Sequence, residues 1–322
     1  MRHSLQICRA LAMQTAVEIL RQPLPVLLTT LASGLAALFP LVLSFQFGEE
    51  GRLVRDAILA LHFTLGVYLA AVAASATLGR EWESGTGALV LSKAVSRELF
   101  YLSKFLGLVL VLAVFTFCLG AAAVLSTRVG VANYMIDSRA GGIIGAAILA
   151  AVLLAGLLNY WKGRPFPSAM QGLLMVALPA AAALLALLPA PDDALPLGAT
   201  LLRLAPPLLL VFLALVMMAA LTLALAARLP AVPVLAAAGA VFLLGLVNAP
   251  LLGSAAAAGR PWAVAASALL PDWQHFWLVD ALSNGGRIPF AYVGWAALYA
   301  GAWTAGLLCA GVAVFRNREV TA

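Results

Sequence analysis

The sequence predicts an all-helical, polytopic membrane protein, and three observations carry that prediction. Hydrophobic residues make up 64% of the chain and charged residues 10%, against about 25% charged in a typical soluble domain. The mean hydropathy is +1.04. The apolar residues also fall in runs of the length one helical crossing needs, roughly 20 residues for a hydrocarbon core about 30 Å thick. A lipid interior offers the backbone no water, so the hydrogen bonds of each crossing must close within a helix or a barrel.

Taken in order, residues 1–22 come first. Leu5, Cys8, Leu11, Ala12, Ala16, Ile19 and Leu20 recur at helical spacing, with Arg2, Arg9, Gln14 and Arg21 around the rest of the turn. This pattern describes an amphipathic helix lying in the membrane interface. A cleaved signal peptide is the competing reading, but its basic end is short and directly precedes the apolar run, whereas this polar prelude is long.

Apolar runs then predict eight spans near 24–46, 57–79, 105–126, 142–160, 169–189, 203–227, 231–253 and 288–315. Pro40, Pro179, Pro206, Pro207 and Pro233 fall within these runs, which spans tolerate where neighbours satisfy the freed backbone groups. The intervals between runs are too short for a soluble domain. With the N-terminus inside, 12 of the 19 Lys and Arg residues fall on the cytoplasmic side and 7 outside, which places both termini and the 80–104 segment in the cytoplasm. The same asymmetry accounts for the net charge of +6 without a nucleic-acid partner.

Chemistry-bearing motifs are few. All 13 acidic residues fall outside the predicted spans, which argues against a proton- or ion-coupled carrier, since such proteins keep ionisable groups at membrane depth. No GxxxxGK[ST] loop is present, so no ATP site of that kind is expected on this chain. His3, His62 and His275 have no second ligand at metal spacing, and Cys8, Cys118 and Cys309 suggest neither a disulfide framework nor a metal site. Neither HExxH nor GxSxG occurs; no cofactor and no enzymatic activity are expected on this chain.

One interval gathers polar residues between two apolar runs. Residues 79–105 hold 3 of the 13 acidic and 4 of the 19 basic residues. Glu81, Trp82 and Glu83 close the second span's extension, Ser84 to Gly87 break it, a short helix covers Ala88 to Ser92, and Ser96 N-caps a new helix with Glu98 in its first turn.

Here the residues resemble a family. Glu81-Trp82-Glu83-Ser84-Gly85-Thr86, then Leu91-Ser92-Lys93-Ala94-Val95-Ser96-Arg97, then Lys104 and Gly107, are similar to the E-x-E-x-G-T, L-S-x-P-V-S-R and G-K signature of ABC-2 type permeases. Ala94 replaces the family's usual Pro, and Ser103 the Gly before the Lys. Leu270, Pro271, Asp272 and Phe276 resemble the L-P-N-x-x-x-F segment before the last span, and Phe315-Arg316-Asn317-Arg318-Glu319 its F-x-R-R-[DE] ending.

The resemblance implies a coupling helix within 80–104 that docks on a separate ABC ATP-binding subunit carrying ATP and Mg, with Glu81, Trp82, Glu83, Gly85, Thr86, Leu91, Ser92, Ser96 and Arg97 at that contact. It also implies a second permease copy as partner, export across a bacterial inner membrane, and a six-helix core, so that 142–190 reads as an inserted helix pair. Segment 254–287, bearing Trp262, Trp273 and Trp277, is expected on the external face as a re-entrant or interfacial element. A secondary carrier, a membrane-embedded enzyme and an assembly scaffold are the other classes considered. Substrate is not legible; Ala, Leu, Val and Gly linings suit a hydrophobic cargo and ordinary helix packing equally.

Overall fold

The computed structural model describes residues 2–42, 50–83, 96–129, 137–189 and 196–316. These form eleven α-helices in chain order: α1 (Arg2–Leu20), α2 (Pro23–Val42), α3 (Glu50–Glu83), α4 (Arg97–Val129), α5 (Ser138–Lys162), α6 (Phe166–Leu187), α7 (Leu197–Ala226), α8 (Ala231–Leu246), α9 (Asn248–Ala257), α10 (Pro261–Leu269) and α11 (Phe290–Arg316). Two 3₁₀ turns, Trp273–His275 and Asp280–Gly285, join α10 to α11. No strand occurs among the described residues. Seven helices, α2 to α7 and α11, are long and apolar enough to cross a membrane.

The core is built on α3, α4 and α7, whose apolar stretches are the most buried of the seven. Side-chain contacts fix their directions. Thr222 of α7 reaches the Ala70 carbonyl at 3.4 Å and Leu215 packs over Gly66, so α3 and α7 run parallel. On α4, Gly120 meets Leu208, while Tyr101 and Ala224 both lie against Gly311, so α4 runs the other way. Ser126 Oγ lies 2.6 Å from the Ala36 carbonyl and ties α2 to α4. Buried hydroxyls are satisfied largely by back-bonding within their own helices, as from Thr29 to Pro25 O at 2.9 Å and Thr77 to Ala73 O at 2.6 Å.

α1 lies against the first third of α4 and buries Ala12, Thr15, Ala16 and Ile19. The approach is close because Gly107 has no Cβ; one there would sit 2.6 Å from Thr15 Cβ and 2.8 Å from the Ala12 carbonyl oxygen. α5 and α6 pair with each other and are more exposed than the core helices. Asp137 caps α5 by accepting from Arg139 N and Ala140 N at 3.0 and 3.1 Å. Gly163 ends it in the left-handed region at φ 61°, a conformation that favours glycine.

The structure corrects one expected span. The apolar run 231–253 is not one helix: α8 stops at Leu246 after 16 residues, and α9 begins at Asn248. Pro250 has no N–H to continue the ladder to Leu246 O. Gly245, in the last turn of α8, also packs closely on the Pro271 carbonyl and the Trp273 indole.

Candidate functional site

Two regions bear on function. The first is where α3 ends and α4 begins. His62 Nε2 and Thr116 Oγ1 are 2.8 Å apart; counting twenty residues outward along each of these antiparallel helices brings Trp82 and Ser96 to the same level. Glu81, Trp82 and Glu83 form the last turn of α3, and Arg97 opens α4. The expected cap is present, since Ser96 Oγ accepts from Leu99 N at 3.2 Å. Gly85, Thr86, Leu91 and Ser92 lie outside the described residues.

The C-terminal end of α11 closes on this corner. Arg97 Nη1 donates to Arg316 O at 2.7 Å, and Arg316 Nε lies 3.5 Å from Glu98 Oε1. Beneath these polar contacts Phe315 stacks on Phe100 at 6.0 Å and tilts against Tyr101 at 5.7 Å. Phe100, Tyr101 and Phe315 are all essentially buried. Burial of three large rings gives this corner a rigid floor, and the exposed Arg316–Glu98 pair adds little stability.

The second region is the segment before α11. Leu270 ends α10, and Pro271 leads to Asp272, which caps the first 3₁₀ turn by accepting from Gln274 N at 2.9 Å. Phe276 is 1% exposed and packs against Trp273 and Tyr299. Trp273 is a core residue rather than a headgroup anchor: it is 1% exposed, donates from Nε1 to Phe242 O at 3.0 Å, and meets Phe63 edge-on at 5.6 Å. Trp262, by contrast, is 59% exposed.

Sequence reading alone missed what this segment encloses. Asn248, at the break after α8, donates to Leu270 O at 3.2 Å and Ser267 O at 3.4 Å, which clasps the base of the α9–α10 hairpin. Between hairpin and α11 is a cavity of about 520 Å³ whose polar lining includes Asn248, Ser267, Asp272 and His275, with Tyr299 and Trp303 opposite. His275 Nδ1 lies 3.5 Å from Asp272 Oδ2, its ring stacks on Tyr299 at 5.4 Å, and its carbonyl accepts from Tyr292 Oη at 2.9 Å. Tyr299 lies well inside α11, so the Asp272 carboxylate, expected only in a connecting segment, is held beside an apolar helix. The L-P-D run was the one signal available, and it did not show that Asn248 or Tyr299 would join it.

Among the described residues no group of three or more His, Cys, Asp or Glu is placed to hold a metal ion.

The all-helical fold with its seven long apolar helices is that of a multi-pass membrane protein. No family model and no curated protein matches the chain.

Proposed function

We propose that the chain is the transmembrane permease subunit of an ABC transporter of the ABC-2 type, driven by ATP hydrolysis on a separate subunit. The observation that carries this reading is the interval 81–97: two long helices, α3 and α4, end level with one another, and the signature-like residues Glu81 to Thr86 and Leu91 to Arg97 fill the connection. An element that transmits motion to the spans must move as a body. The capped start of α4, seated on the Phe100, Tyr101 and Phe315 floor, supplies a rigid attachment for it.

On this reading α2, α3, α4, α7, α8 with its hairpin, and α11 form the six-element core. The paired, more exposed α5 and α6 are the insertion, which gives eight passages if α8 and the hairpin together cross. Both termini face the cytoplasm of a bacterial cell, a second copy of the permease completes the transporter, and export is the direction. The cavity of Asp272, His275 and Tyr299 then belongs to the external half.

The test is co-purification with a phosphate-loop ATPase encoded beside this reading frame, followed by ATP hydrolysis in reconstituted vesicles. Glu83→Lys places a cation at the docking corner without altering any described apolar contact, and should abolish coupling while the protein still inserts, since truncating or reversing one member of a buried interfacial charge pair costs roughly 2–5 kcal/mol. An ATPase that co-purifies equally well with wild type and Glu83→Lys, with equal hydrolysis, would remove the basis of the proposal.

A further inference from the structure

At the end of the bundle remote from the 81–97 corner, the N-terminal turns of α3 and α7 lie side by side, and each contributes an arginine to one point. Arg55 Nη1 and Arg203 Nη2 both donate to the carbonyl oxygen of Leu282, at 3.4 and 2.8 Å. The two guanidinium groups thus share a single neutral acceptor. Arg55 is 8% exposed. Among the described residues its Nη2 and the Nε of Arg203, both buried, have no hydrogen-bond partner.

Among the described residues the charges around them are out of balance. Among the described residues, Asp56 is held by Arg55 at 3.1 Å and by Arg52 at 3.8 Å, and Asp280 by Arg52 at 3.3 Å. Neither carboxylate is paired with Arg203. Arg55 and Arg287 are instead close enough to repel it. The parallel helices α3 and α7 also direct the positive ends of their dipoles toward this end of the bundle. A buried guanidinium N–H left unmade is costly, and like charges brought together add to that cost. A group that accepts from both forks and carries negative charge would relieve both penalties.

We propose that Arg55 and Arg203 form a binding site for a phosphate-type oxyanion, held between α3, α7 and the Leu282 turn. Tetrahedral oxyanions fit the arginine fork, which presents parallel N–H donors at fixed spacing. The anion is the phosphodiester of a lipid headgroup or free phosphate. The proposal needs only the convergence of the two arginines, and it stands or falls separately from the permease reading.

The experiment uses the full-length protein in nanodiscs. Nanodiscs of phosphatidylglycerol and phosphatidylcholine in equal parts are prepared, and the lipid retained by the protein on release into detergent is counted by native mass spectrometry. Inorganic phosphate is then titrated in as competitor. Wild type should retain phosphatidylglycerol with at least a tenfold preference, given that charge-assisted bonds to two guanidinium groups are at stake. Arg203→Gln should bring the preference down to that of phosphatidylcholine, Arg203→Lys should keep part of it, and Arg260→Gln, at the hairpin tip, should leave it intact. Millimolar phosphate that displaces the lipid, or that raises the Tm of wild type but not of Arg203→Gln, identifies free phosphate as an occupant; inert phosphate with retained lipid identifies the headgroup. Equal retention of the two lipids by wild type with no response to phosphate would overturn the site, and so would an equal loss of preference in Arg260→Gln and Arg203→Gln. The wild-type comparison decides the matter even if Arg203→Gln fails to fold.

Discussion

Substituting Gly107 by Ala places a methyl group where the structure has no room, and the consequence can be worked through. The new Cβ would lie 2.6 Å from Thr15 Cβ and 2.8 Å from the Ala12 carbonyl oxygen. Ordinary contact begins near 3.4 Å, so α1 must withdraw from α4 by more than half an ångström. The Ala12 oxygen is backbone and cannot rotate away, which leaves displacement of the whole helix. Overpacking of this kind costs about 1–3 kcal/mol.

Ala in place of Gly also gains up to about 1 kcal/mol of helix propensity, so Gly142→Ala serves as the reference, because among the described residues no packing neighbour lies within 4 Å of a Cβ placed there. The native reporter is Cys8, partly buried with Ser103 Oγ 3.4 Å from its sulfur. In a Cys309→Ser background, thiol alkylation should read the open population of α1, since Cys118 is buried. A net loss of 1–2 kcal/mol corresponds to roughly 5- to 30-fold faster labelling. The reference should label at the wild-type rate. Equal rates for Gly107→Ala, Gly142→Ala and wild type would refute the docking of α1 on α4 at this crossing.

Other outcomes follow from the same structure. Ser96→Ala should lower the stability of the solubilised protein by about 1 kcal/mol through loss of the cap, and Ser96→Asp should restore it; thermal unfolding of the three proteins compares them. Trp273→Phe removes the donor to Phe242 O and should destabilise by about 1–3 kcal/mol, with faster tryptic cleavage at Arg260 at the hairpin tip as the readout. Cysteines placed at Arg164, in the α5–α6 turn, and at Arg260 should label from opposite sides of the membrane in oriented vesicles; labelling of both from one side would show that the α8 and hairpin unit does not complete a crossing.

Most of the helical layout was legible in hydropathy, because in hydrocarbon every backbone group must be bonded within its own helix and apolar runs of sufficient length leave no other local choice. The seven long helices fall where the apolar runs do, and the Ser96 cap was readable because capping is a contact over three residues. Segment 231–253 was not readable in this way. Its composition is that of a span; Pro250 inside the run interrupts the backbone ladder, and the contacts that accompany the break, Trp273 and the Pro271 carbonyl packed on Gly245, come from a distant part of the chain.

The polar groupings mark the same boundary. Residue by residue, the sequence determined that Arg55 and Arg203 are ionisable and near the ends of apolar runs, and that Asp272 and His275 lie in a connecting segment. Only the tertiary structure decided which of them meet. Tyr299 joins Asp272 and His275 through the packing of α11 on the preceding segment, and Leu282, 227 residues from Arg55 and 79 from Arg203, becomes the shared acceptor because α3 and α7 are parallel neighbours. The physical reason is that helix formation is governed by local bonding and transfer from water, whereas side chains converge across the bundle only through the shapes of the packed helix faces, which no single run encodes.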